Sequence, residues 1–164
     1  MTWLTCSYDY HEISKELDRF PEILHQSTNH KGVTPLHCAA GRGHRNMVEL
    51  FVEKGAVIDA QDNRGDTPLA VAVVNGKVGA VMGLLRLGAM VNRRLKKNNT
   101  VLCYACQYGE CEIALELLKH GADVNVRNDS GRTPLIKAML DHRKPELVRL
   151  LVCAGANVNI ADVS

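Results

Sequence analysis

Thr34, Thr67, Thr100 and Thr133 stand 33 residues apart along this chain of 164 residues. Gly55-Ala56, Gly88-Ala89 and Gly121-Ala122 keep the same interval, and Gly155-Ala156 arrives one residue late. A segment this short cannot bury an apolar face by itself. A chain built from such segments must stack them, each one covering its neighbours. This single feature confines the fold to a repeat architecture and leaves function to whatever surface the stacking exposes.

The local residues say what each segment forms. In the best-preserved copy, Thr34 is suited to cap a helix and Pro35 to open it, where a missing N–H costs nothing. His37 falls where its ring can bond back toward the loop, and Gly43 can take the left-handed backbone that ends a helix. His44 then opens a second helix with Met47, Val48, Leu50 and Phe51 at three-to-four spacing. Gly55 stops it, and residues 57–63 are expected to form an extended hairpin to the next copy. Leu36, Leu69, Leu102 and Leu135 are the expected core of the first helices, and Leu50, Leu84, Leu117 and Leu150 that of the second.

Thr34-Pro35-Leu36-His37-Cys38-Ala39-Ala40 followed by Gly43-His44 and Gly55-Ala56 resembles the ankyrin repeat, and the likeness runs from residue 29 to 164. It implies an all-α fold: an ankyrin-repeat solenoid of stacked helix-turn-helix units joined by β-hairpin loops. Four repeats are expected at 29–61, 62–94, 95–127 and 128–161, with the start of an incomplete fifth in Asp162-Val163-Ser164. Residues 1–28 are expected to form a degenerate N-terminal capping half-repeat. Its outer helix is read over 12–24 from Ile13, Leu17, Phe20, Ile23 and Leu24, with Trp3, Leu4 and Tyr8 supplying part of an inner one. The last repeat shows no polar outer face, which implies a shortened chain or a partner covering that edge.

Three departures from the pattern are informative. Val101 and Cys103 replace proline and histidine in the third copy, and Asn98 stands where the others have Gly32, Gly65 and Gly131. Asparagine tolerates left-handed backbone, so the turn should survive. Leu95 replaces the polar residue at Asn29, Asp62 and Asn128, removing a side chain able to brace the loop. In the fourth copy Asp141-His142-Arg143-Lys144-Pro145 makes a longer inter-helix turn, with Pro145 starting the outer helix.

Several function classes are excluded or disfavoured. No run of 18 apolar residues exists to span a membrane, and residues 1–10 lack the pattern of a secretory leader. The six cysteines therefore read as reduced thiols of a cytoplasmic or nuclear protein. Cys103, Cys106 and Cys111 with His120 invite a zinc reading, but 103 and 106 fall on packed helix positions where cysteine acts as a small apolar residue. No metal or cofactor is expected. The sequence holds no P-loop, nucleophile elbow, dinucleotide-binding glycine pattern or H-E-x-x-H. A thiol enzyme using Cys103 or Cys106 would need exposed, thiolate-rich cysteines. No catalytic residue and no small-molecule substrate are assigned.

Surface remains. The resemblance implies protein binding on a concave side made by loop tips and inner helices. Residues carried over to that side include Lys31, Arg42, Arg64, Arg94, Lys96, Lys97, Arg127 and Arg132, against the acidic Asp66, Asp129 and Asp141. The formal net charge is only +2, so this face concentrates positive potential. Val74, Tyr108 and Leu140 are the expected apolar contacts, with Tyr108 as anchor. The partner expected is another protein offering an acidic or mixed segment, and Arg94, Lys96 and Lys97 are expected to be solvated. The resemblance allows a stand-alone inhibitor or the recognition part of a larger ubiquitin-ligase receptor or scaffold. A polyanion or oligonucleotide binder using Arg93-Arg94-Leu95-Lys96-Lys97 is the alternative, disfavoured because no aromatic residues interleave for base stacking. Asn125, after Asp123-Val124, resembles ankyrin asparagines that become hydroxylated.

Overall fold

A computed structural model describes residues 10–27, 31–141 and 144–159. Those residues form helices and turns, and no segment among them pairs as a β-strand. The helices are α1 (Tyr10–Arg19), α2 (Pro35–Arg42), α3 (Arg45–Glu53), α4 (Pro68–Val74), α5 (Val78–Arg86), α6 (Val101–Tyr108), α7 (Cys111–Lys119), α8 (Pro134–Asp141) and α9 (Pro145–Cys153). The chain divides into two compact units, Met1–Ala89 and Met90–Ser164.

In the first unit, inner helices α2 and α4 pack on one another, each against its own outer helix, and α3 packs on α5. In the second, α6 and α8 pack likewise, and α7 meets α9. None of these helices exceeds ten residues, too short to persist alone in water, so the apolar faces they bury together hold them. Leu36, Leu69 and Leu102 are fully buried, and Leu135 is nearly so. The outer-helix column departs from the sequence reading at its last member. It runs Phe51, Leu84, Leu117 and Leu151, all at most 2% exposed. Leu50, Leu84 and Leu117 are buried as read; Leu150 is only half-buried, because the longer fourth copy puts Leu151 in register with Leu84 and Leu117.

Each outer helix ends on a glycine with positive φ, Gly55 at 94°, Gly88 at 92°, Gly121 at 82° and Gly155 at 88°. The next amide then closes back five residues, as in Ala56 N to Phe51 O (2.8 Å) and Ala156 N to Leu151 O (2.9 Å). A side chain would be strained there, which explains the Gly-Ala spacing. Thr67 Oγ1 accepts from Ala70 N at 3.2 Å and Thr133 Oγ1 from Ile136 N at 3.3 Å, capping α4 and α8 as the threonine period requires.

The N-terminal segment corrects an expectation. Residues 12–24 do not form one helix: α1 ends at Arg19 and a 3-10 turn follows over Pro21–His25. Pro21 has no N–H to continue the ladder and pushes the residue before it out of helical backbone. Ile13, Leu17 and Leu24 are buried, but Phe20 is 38% exposed, with the Arg19 guanidinium 5.1 Å from its ring centre. The expectations for Trp3, Leu4 and Tyr8, and for Asp162-Val163-Ser164, fall outside the described residues. So does much of the longer turn before α9, which begins at Pro145 as read.

Candidate functional site

The loop tips carry the residues singled out for binding, so their construction decides which side chains are available. At 62–67 the turn closes through Asp62 N to Asp66 O (3.0 Å) and Gly65 N to Asp62 O (2.9 Å). Asp62 Oδ1 accepts from Arg64 N at 2.8 Å and Asp66 N at 3.0 Å, the local bond that makes aspartate a turn residue. Asn128 does the same at 128–133, its Oδ1 accepting from Ser130 N (3.0 Å) and Arg132 N (2.9 Å). His37 ties the first unit's inner helix to its tip. Its Nδ1 accepts from Thr34 N at 3.2 Å, and its Nε2–H donates to Asp66 O at 3.0 Å. Those bonds require the neutral ring, and burial pushes its pKa below the usual value despite the opposing pull of the Asp66 carbonyl.

The tip at 95–100 is different. Leu95 offers no acceptor; it is buried, 6% exposed. The turn still closes, by Leu95 N to Asn99 O (2.8 Å) and Asn98 N to Leu95 O (3.0 Å). It does so with two successive left-handed residues, Lys97 at φ 58° and Asn98 at φ 56°. Asparagine at the glycine position behaves as its chemistry allows; the left-handed lysine beside it was not foreseen. Each such residue costs about 1–2 kcal/mol, and side-chain bonds hold them in place. Asn99 Nδ2 donates to Lys96 O at 3.0 Å, Asn98 Nδ2 to Asp129 Oδ1 at 2.6 Å, and Asn128 Nδ2 to Asn99 Oδ1 at 3.0 Å.

Arg94 is exposed, as expected, and also belongs to this bracing. Its guanidinium donates to Asn98 O at 3.1 Å and to Arg127 O at 3.0 Å. Gln61 to Gly65 O (2.9 Å) and Arg127 to Gly131 O (3.0 Å) repeat the first of these bonds, so the column at 61, 94 and 127 is a clip across the tip. Lys96 and Lys97 are exposed, and their ammonium groups have no partner among the described residues. They are the cations this tip holds out to solvent.

The other expected contacts fall on both units. On the first, Lys31, Arg42 and Arg64 are exposed, Asp66 is half-buried with its backbone in the tip, and Val74 is 39% exposed. On the second, Arg127 and Arg132 are exposed, Tyr108 is 43% exposed and Leu140 55%. Val74 occupies Gln107's position in the period and Tyr108 the next one on, so the two are not equivalent residues.

Lys137 was missed. It sits in α8, 9% exposed, with Nζ donating to Gln107 Oε1 on α6 at 2.9 Å. Its counterparts in the period are Cys38, Val71 and Tyr104, and a charge in an uncharged column was the available signal.

Cys103 and Cys106 are fully buried, and Cys103 Sγ lies 3.6 Å from the Thr100 hydroxyl that donates to it. Burial first, then Cys103 and Cys111, pushes the Cys106 thiol far above its usual pKa, leaving no nucleophilic thiolate near neutral pH. His120 Nδ1 bonds the Glu116 carbonyl of its own helix at 2.9 Å. No group of three His, Cys, Asp or Glu among the described residues is placed to hold a metal ion.

Asn125 is a clip of the second unit. Its Oδ1 accepts from Asn157 N at 2.7 Å and its Nδ2 donates to Gly155 O at 3.1 Å. Asn92 makes the same pair of bonds to Asp123 N and Gly121 O, both at 2.8 Å.

The period, the paired short helices and the braced tips define a class, and the family comparison agrees. A model described as ankyrin repeats, three copies, matches residues 3–95 and 84–162. The chain belongs to the ankyrin repeat family, whose members generally act as modules that bind other proteins and are typically non-catalytic. No curated protein matches the chain in sequence. No helix among the described residues is long and apolar enough to cross a membrane.

Proposed function

We propose that this chain is a non-catalytic binding module that docks an acidic or mixed segment of another protein on the face made by its tips and inner helices. The observation that carries the proposal is the tip at 95–100. Lys96 and Lys97 are exposed and unpaired among the described residues, on a backbone whose left-handed cost is met by four side-chain clips. Fixed cations give up less rotational freedom on binding than cations on a loose loop, and like charge on one surface raises encounter rates with an acidic partner. Half-exposed Tyr108 and Leu140 supply the apolar contacts that such interfaces need. Reduced cysteines, with Cys106 buried and protonated, fit work in the cytoplasm or nucleus, as an inhibitor or as the recognition part of a larger assembly.

The test is a Lys96→Glu/Lys97→Glu variant, which leaves the Arg94 clip intact. Its thermal midpoint should match the parent's, while proteins captured from native lysate by the parent in a salt-sensitive way should be lost. Unchanged capture would remove the tip from the interface. Heparin and RNA bound as tightly as any protein would favour a polyanion ligand instead. Asn125 is the position proposed for hydroxylation, and an unshifted mass for its peptide in native protein would remove that assignment.

A further inference from the structure

One position of the period holds Lys31, Arg64, Lys97 and Ser130, and all four are exposed. Three copies hold out a cation there, and the fourth holds out a hydroxyl. The backbone beneath is built alike in two of them. Ser130 N donates to Asn128 Oδ1 at 3.0 Å, as Arg64 N donates to Asp62 Oδ1 at 2.8 Å. Ser130 therefore sits where an outward side chain is the rule. The capping threonines Thr67, Thr100 and Thr133 are at most 2% exposed by contrast, beyond the reach of a modifying enzyme.

Ser130 is also close to the exposed lysines of the second unit. Asp129 N donates to Lys97 O at 3.1 Å, and Asn98 Nδ2 donates to Asp129 Oδ1 at 2.6 Å. The Cα of Ser130, next along the chain, is then no more than about 11 Å from that of Lys97, on the scale of one Debye length at physiological salt. Residues 94–100 and 127–133 carry five basic side chains (Arg94, Lys96, Lys97, Arg127, Arg132) and one acidic, Asp129, a net of four positive charges. A phosphate on Ser130 adds about −2 and halves that charge. The neighbours suit the reaction. Arg127 and Arg132, three residues before Ser130 and two after, are exposed, and such guanidinium groups are what an acidic kinase cleft grips. The Arg127 Nε bond to Gly131 O (3.0 Å) is at the surface, so carboxylates of the cleft can take its place.

Resting on the binding reading above, we propose that Ser130 is a phosphorylation site for an arginine-directed serine/threonine kinase, and that its phosphate switches off docking of the acidic segment. Ser130 Oγ bonds to the γ-phosphorus of ATP as the bond from that phosphorus to the β,γ-bridging oxygen breaks. ADP leaves, and the hydroxyl proton passes to the kinase base. The phosphate then repels the carboxylates that Lys96 and Lys97 attract, and offers those lysines a competing anion within their own chain.

The test uses the full chain, a kinase that selects arginine three residues before its target, and a blocked peptide of alternating Glu and Leu. Mass spectrometry should find phosphate on tryptic peptide 128–132 of the parent and none there in Ser130→Ala. The phosphorylated chain should bind the Glu peptide roughly tenfold more weakly than the unmodified chain, with an unchanged thermal midpoint, and the gap should close at high salt. Ser130→Lys, which completes the basic position, should bind several-fold more tightly, and Ser130→Ala should bind like the parent. A folded parent that the kinase leaves unmodified at Ser130 overturns the site. Equal peptide binding before and after modification overturns the switch, as does a loss accompanied by a lowered midpoint. If Lys96→Glu/Lys97→Glu weakens the peptide in that case, the binding reading stands without the switch. A peptide bound equally by the parent and that double variant, or by neither, removes both.

Discussion

At 62–67 the Asp62 carboxylate accepts two backbone amides within the turn, and a glycine at φ 84° absorbs the left-handed backbone. At 95–100 that carboxylate is replaced by a buried leucine, and the left-handed positions fall to lysine and asparagine. Both tips close the same turn with two amide-to-carbonyl bonds at 2.8–3.0 Å. The first adds bonds from Gln61 to Gly65 O and from His37 to Asp66 O. The second depends on bonds from Arg94, Asn98, Asn99 and Asn128, three of them reaching residues of the next tip along. Both tips are held by residues outside them; what differs is that the first relies on a carboxylate and a glycine, while the second relies on amide side chains and carries two lysines at its apex.

The comparison can be broken in order of effect. Leu102→Ala beneath the second tip should cost about 2–5 kcal/mol by chemical denaturation, since the side chain is fully buried. Leu69→Ala should cost a similar amount beneath the first, and a much smaller loss at 102 would mean the second core is loosely packed. Gly65→Ala should cost about 1–2 kcal/mol from left-handed strain alone, because the nearest atom to an added Cβ is 3.9 Å away. Lys97→Gly should move the other way and stabilise by up to about 1 kcal/mol; a loss there would show the strain argument to be wrong. Arg94→Glu should cost about 1 kcal/mol, because it removes charged donors to two carbonyls at an exposed site. No change in its thermal midpoint would show that the Arg94 bonds do not brace the tip.

The smallest effect is a pH dependence confined to the first tip. The unfolded chain protonates His37 as pH falls through about 6.5, while the folded chain resists, its pKa being lowered by burial. Below that pH the unfolded state binds more protons, so stability declines on acidification and is flat above it. His37→Ala should be less stable at neutral pH and should lose part of that slope. An unaltered slope would assign the dependence to other groups.

Much of this was legible in the residues. Thr-Pro helix starts, Gly-Ala stops and the His37 bond follow from chemistry acting within a few positions, and they fall where the spacing put them. The outer-helix column slipped at its last member, because Leu150 is a leucine next to the buried Leu151. Periodicity over nine residues does not separate adjacent apolar positions as neighbouring helices do. The helix expected over 12–24 failed at Pro21, a local breaker outweighed by the apolar pattern around it. The candidate face was half legible: its basic character is visible in composition, but Arg94 and Lys97 look alike on paper.

The sequence by itself determined the period, the paired short helices and the family, because capping, turn chemistry and apolar spacing are short-range and repeat with the chain. Tertiary structure alone decided which cations brace the fold. Arg94 is a clip because the Arg127 carbonyl, 33 residues on, lies 3.0 Å from it. Lys137 is buried because Gln107, 30 residues back, meets it across two packed helices. Contacts at that separation are set by how the repeats stack, and no local run of residues encodes them.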